Sequence, residues 1–86
     1  MQVLEQAKKE LAERGAKLAQ LRAHYAAQQA SLRALQDELA AGADAQRRTT
    51  ILLGINEYAD ALFRLELEIN HQIGLYEKAQ NEVKAG

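Results

Sequence analysis

The stretch Leu39-Ala40-Ala41-Gly42-Ala43-Asp44-Ala45 decides how this chain folds. Glycine tolerates the left-handed backbone that follows a helix end, and aspartate favours the N-cap of a new helix. Gly42 followed by Asp44 therefore reads as one helix stopping and another starting within a few residues. Thr49 or Thr50 is the alternative start for the second helix. A short link between two helices turns the chain back on itself.

Upstream of this break, Leu4, Ala7, Leu11, Arg14, Leu18, Leu21, Tyr25, Gln28, Leu32, Leu35 and Leu39 recur in steps of three and four. That spacing averages about 3.5 residues per turn and draws one stripe along a helix. Downstream, Ile51, Ile55, Tyr58, Leu62, Leu65, Ile69, Gln72, Tyr76, Ala79 and Val83 repeat the rhythm. The expected fold is all-α: a long antiparallel two-helix hairpin, a coiled coil able to dimerise into a four-helix bundle. It forms a single domain over residues 1–86, with helix 1 at about 3–40, the link at about 41–46 and helix 2 at about 47–84. The hairpin seam is expected to hold Leu11, Leu18, Leu21, Tyr25, Leu32 and Leu35 of the first helix. Ile55, Tyr58, Leu62, Leu65, Ile69 and Tyr76 supply the second.

Arg14 and Gln28 are polar members of the first stripe. Such residues set register at some cost in stability, and Arg14 has the alternative of snorkelling outward. Gly54 and Gly74 sit inside the second helix, each costing roughly 1 kcal/mol against alanine. Charge pairs one turn apart are expected at Glu5–Lys9, Glu10–Arg14, Glu13–Lys17 and Arg64–Glu68.

The composition agrees with this reading. The 86 residues contain no proline and only five glycines, and Ala, Leu, Glu, Gln, Lys and Arg dominate. All six are good helix formers. The formal net charge is −1, with both signs interspersed, which gives no basic face for nucleic acid. Arg47-Arg48 is read as a solvated helix start in preference to a phosphate contact. The absence of cysteine excludes disulfides and thiol chemistry. MQVLEQAKKE has no basic region followed by an apolar run, and no stretch approaches the ~20 apolar residues of a membrane span. A soluble cytoplasmic protein without membrane insertion is the expectation.

A hairpin needs one apolar stripe per helix, and this sequence has more. Ala12, Ala16, Ala19, Ala23, Ala26, Ala30 and Ala34 fall opposite the leucine stripe. They are either harmless helix formers on a surface or a seam of small side chains for a second chain. On the second helix, Leu53, Phe63 and Leu67 face away from the seam, and Leu52, Ile73 and Leu75 flank it. A widened core stripe absorbs the flanking three. Phe63 and Leu67, one turn apart, are read as part of a contact patch, with a slightly rotated core as the rival. The candidate partner-binding residues are therefore Leu53, Phe63, Leu67, Ala12, Ala16, Ala19, Ala23, Ala26 and Ala30.

Catalytic chemistry has little footing. Glu68 and His71 have the Glu-x-x-His spacing of carboxylate di-metal bundles, but those sites need two such pairs and further glutamates facing the core. His24 has no acid at helical spacing. Ser31 is the only serine, and nothing places a base beside it. No glycine-rich phosphate loop is present. The expectation is a protein with no catalytic, cofactor-binding or metal site.

Three features together resemble the FliJ family over about residues 18–83. They are Leu18-x-x-Leu21 followed by Tyr25, the small-residue break ending in Ala41-Gly42, and a tyrosine-led amphipathic run. That run holds Glu57-Tyr58, Leu62, Leu65-Glu66, Ile69 and a more distant Val83. Family members are antiparallel two-helix coiled coils of the bacterial flagellar export apparatus, acting as stalk and chaperone escort. The resemblance implies a protein-binding adaptor whose partners are an export ATPase, an export gate and chaperones. The chain departs from the pattern in places. The segment between Gly42 and Tyr58 is longer, Glu57 replaces the family's asparagine, and Ala61-Leu62 replaces its following aromatic. Family chains also continue in a charged extension of the second helix. A similar Gly-then-Tyr pattern occurs in the helical barrel of TolC-like channels. The alternative to an adaptor is a self-assembling structural bundle, a homodimer with no enzymatic role.

Overall fold

A computed structural model describes residues 2–85 of the chain. It holds two helices, α1 (Gln2–Ala40) and α2 (Ala45–Ala85), of 39 and 41 residues. Together they form the expected antiparallel hairpin. Gly42 adopts φ of 93°, a left-handed conformation in which a Cβ would be strained. Its amide donates to the Leu39 carbonyl at 3.2 Å, and the Ala41 amide donates to the Asp37 carbonyl at 3.0 Å, satisfying carbonyls that the end of α1 leaves free.

Asp44 caps α2. Its carboxylate accepts a hydrogen bond from the Arg47 amide at 2.8 Å, and its carbonyl accepts the first helical bond from the Arg48 amide at 2.8 Å. α2 therefore begins at Ala45, two residues before the expected position 47, and the link is correspondingly shorter. The threonines do not start the helix. Thr49 and Thr50 donate their hydroxyls back to the Ala45 and Gln46 carbonyls at 3.0 and 3.3 Å, an arrangement available only inside a formed helix.

Packing divides the chain into two units, Met1–Ala23 with Leu67–Gly86, and His24–Glu66. The second contains the turn. Ile51 is fully buried there and Leu62 nearly so, while Tyr25, Gln28, Leu32, Leu35, Leu39, Ile55, Tyr58 and Leu65 are half-buried. A bidentate ion pair ties the two ends of the turn. Arg47 donates from Nε and Nη2 to the two Glu38 carboxylate oxygens at 2.7 and 2.8 Å. Those hydrogen bonds, with the charge of the guanidinium, hold the Glu38 carboxyl below its ordinary value of 4.5. A carboxyl lowered in the folded state adds stability that is complete above the unfolded value and lost as pH falls through the folded one. Glu38→Gln should accordingly flatten the acid limb of the stability-against-pH curve below about pH 4.5, read by thermal melts in acidic buffers. An unchanged limb would show that the pair contributes nothing.

In the unit of the chain ends, Leu18 and Ala79 are buried. Leu4, Ala7, Leu11, Arg14, Leu21, Ile69, Tyr76 and Val83 are half-buried. Gly15, which the stripe does not include, faces the Tyr76 ring. A Cβ there would meet Tyr76 Cε2 at 3.5 Å, an ordinary contact. The interior glycines of α2 differ from one another. A Cβ on Gly74 would meet nothing within 4 Å, whereas one on Gly54 would meet Leu35 Cδ1 at 2.9 Å. Gly74→Ala should stabilise the hairpin by about 1 kcal/mol through helix propensity alone. Gly54→Ala should give less, because the end of Leu35 must move. Urea titrations of the two variants check this, and a larger gain at Gly54 would contradict the close approach.

The helix faces are decorated differently from expectation in four places. Arg64 pairs with Asp60 at 3.1 Å instead of Glu68, whose carboxylate accepts from Gln72 Nε2 at 3.2 Å. Glu10–Arg14 closes to 3.5 Å as expected, but Glu5–Lys9 and Glu13–Lys17 do not form ion pairs. Leu52, expected to be absorbed by a widened core stripe, remains 45% exposed. Its place beside the fully buried Ile51 points it off the seam. Among the described residues, no helix is long and apolar enough to cross a membrane.

Candidate functional surface

The sequence marks the backs of both helices, and the structure leaves both uncovered. On α1, Ala12, Ala16, Ala19 and Ala23 are exposed in the unit of the chain ends, and Ala26, Ala30 and Ala34 in the turn unit. On α2, Leu53 and Phe63 are each 60% exposed in the turn unit, and Leu67 is 55% exposed in the other. These residues are off the seam because the seam is already filled. In each unit the positions spaced three and four apart face the other helix, and those about half a turn away face solvent.

The two surfaces differ in character. The back of α1 is a row of small side chains between Lys9, Arg22 and Arg33, and lets another backbone approach closely. The back of α2 presents large apolar groups among Asn56, Asp60 and Arg64, which bury more area when covered. Within one unit the two faces point away from each other, so a single partner helix covers only one of them.

A different surface lies in the unit of the chain ends. An open groove there is lined by Lys9, Glu10, Glu13, Arg14, Lys17 and Gln72. Gln72 is buried, and its Oε1 has no hydrogen-bond partner. Its amide is oriented by the bond from Nε2 to Glu68, since a flipped amide would set oxygen against a carboxylate. The stripe located Gln72 in the seam, but nothing in its spacing signals an unpaired carbonyl oxygen. That depends on what the facing helix offers at the same level. The Glu38–Arg47 clamp was equally invisible, because nothing in helical spacing brings together residues nine apart.

The residues weighed for catalysis are scattered. The Gln28 side-chain amide donates to His24 Nε2 at 3.2 Å on the surface of α1. His71 is exposed on α2, while Glu68 is half-buried and engaged by Gln72. Among the described residues no three His, Cys, Asp or Glu side chains come together as a metal-holding group. Arg47 is committed to Glu38, and Arg48 stands exposed beside it. Comparison with known proteins brings no match to this chain, whether among family models, curated proteins or solved structures.

Proposed function

We propose that this chain is a non-catalytic helical module that works by binding other proteins, resembling a stalk or adaptor component of a bacterial flagellar or type III export apparatus. The observation that carries the reading is the exposure of Leu53, Phe63 and Leu67 on the back of α2. Each is a large apolar side chain that the hairpin does not use for its own core. Isolated exposed leucines need no explanation, but several on one helix face mark a surface that is covered in use. The export setting rests on the resemblance over residues 18–83, which brings an export ATPase, an export gate and chaperones as partners and the cytoplasm as location. The alanine row on α1 offers such a partner a close-packing helix face.

The test is direct binding of the purified chain to a purified export ATPase, the cytoplasmic part of an export gate and export chaperones. At least one should bind. Phe63→Ser combined with Leu67→Ser should weaken that binding by about tenfold or more. The circular dichroism of the double variant should keep its helical signal. Loss of helix would place the two residues in the core, and absence of binding to every component would remove the export reading.

A further inference from the structure

In the turn unit the back of α2 carries a second series of positions in steps of three and four: Leu53, Asn56, Asp60 and Phe63, all exposed. The series reads apolar, amide, carboxylate, apolar. We propose that this face pairs with the same face of a second copy of the chain, α2 running antiparallel to α2, about a two-fold axis level with Tyr58. The inference rests on the protein-docking reading and names the occupant of this one surface.

Two considerations favour a second copy. The first is self-complementarity, which an isologous interface requires. Turning the series end for end sets Leu53 against Phe63 of the second copy and Asn56 against Asp60 of the second copy, and the two-fold repeats both contacts. The Asn56 amide can then donate to the Asp60 carboxylate. Asp60 already holds Arg64 at 3.1 Å, but both side chains remain more than half exposed, so the carboxylate stays open to another donor. Parallel pairing would instead oppose Asp60 to Asp60 and Asn56 to Asn56, so the polar layers favour the antiparallel sense. The polar centre also specifies register, because a shift of one heptad would leave the amide and carboxylate without each other.

The second is supply. A surface that exposes this much apolar side chain needs cover whenever the chain is present, and a second copy is present at the chain's own concentration. An outside partner then meets the paired chains at Ala26, Ala30 and Ala34, exposed on α1 in the same unit, and Phe63→Ser reaches that partner's binding through the dimer.

The chain has no cysteine, which makes the register directly readable. Sedimentation velocity on the wild-type chain should show a dimer, and Phe63→Ser should weaken it at least tenfold with helicity retained. Leu53→Cys and Phe63→Cys chains, mixed and oxidised with glutathione disulfide, should cross-link to each other. Either variant alone should not, because equal residues of the two copies stand about 15 Å apart along the axis, beyond disulfide reach. A wild-type monomer throughout, a dimer indifferent to Phe63→Ser, or same-residue cross-links as efficient as the mixed one would each overturn the proposal. A monomer that still loses export-component binding on the Phe63→Ser, Leu67→Ser change would remove the second copy and keep the docking reading. A dimer that behaves as described but binds no export component would do the reverse.

Discussion

Ile51→Ala should lower the stability of the hairpin by about 2–5 kcal/mol, the range for truncating a buried aliphatic side chain to alanine. Ile51 is the one large side chain that is fully buried among the described residues. It stands one turn after Arg47, whose clamp on Glu38 fixes the first turn of α2 against the end of α1. Such a framework has little freedom to collapse into the space left by the lost atoms, which places the cost towards the upper part of the range. Small domains are stable by only about 5–15 kcal/mol in total, so the loss is a large share of the whole. Urea denaturation should move the midpoint down with an unchanged slope, because the surface exposed on unfolding is the same. Should the alanine variant fail to fold, Ile51→Val removes one methylene and should cost about 0.5–1.5 kcal/mol. Leu53→Ala, at a position 60% exposed, is the control and should leave the hairpin's own stability nearly unchanged. Equal costs at positions 51 and 53 would mean that the core lies on a different face.

That face was legible because it obeys a single period. Every member of the two stripes, from Leu4 to Leu39 and from Ile51 to Val83, is buried or half-buried. The turn was legible for a local reason: Gly42 and Asp44 each have a backbone preference that acts within one or two residues. Features that depend on two elements at once were not legible. Arg64 has acids on both sides at helical distance, and spacing alone does not choose Asp60 over Glu68. Leu52 follows Ile51 in sequence, and its exposure depends on how wide a stripe α1 can cover. The candidate surface shares this division. The sequence shows that Leu53, Phe63 and Leu67 lie off the seam, whereas the identity of what covers them belongs to a second molecule.

Gln72→Leu should stabilise the hairpin, by about 1–3 kcal/mol if the unpaired oxygen carries its full desolvation penalty. The position belongs to the apolar stripe of α2, yet it holds a buried amide whose Oε1 has no partner. Leucine removes that group and adds apolar surface to the seam, while the exchange of Nε2 with Glu68 at 3.2 Å is lost on a half-buried face where solvent can replace it. Hydrogen bonding and transfer thus act in opposite directions, and the orphaned acceptor makes the transfer side the larger. In a domain of this size each kcal/mol moves the melting temperature by about 4–8 °C, so the shift is readily measured. A polar seam residue also discriminates between registers, since only some alignments bring its polar end toward water or a donor. The variant should therefore gain stability and lose uniqueness, seen as broader amide resonances or a second species in sedimentation. Lower stability on Gln72→Leu would show that Oε1 meets a donor in the native protein. Arg14, which lines the same groove, would then be the first residue to replace in a double-mutant cycle.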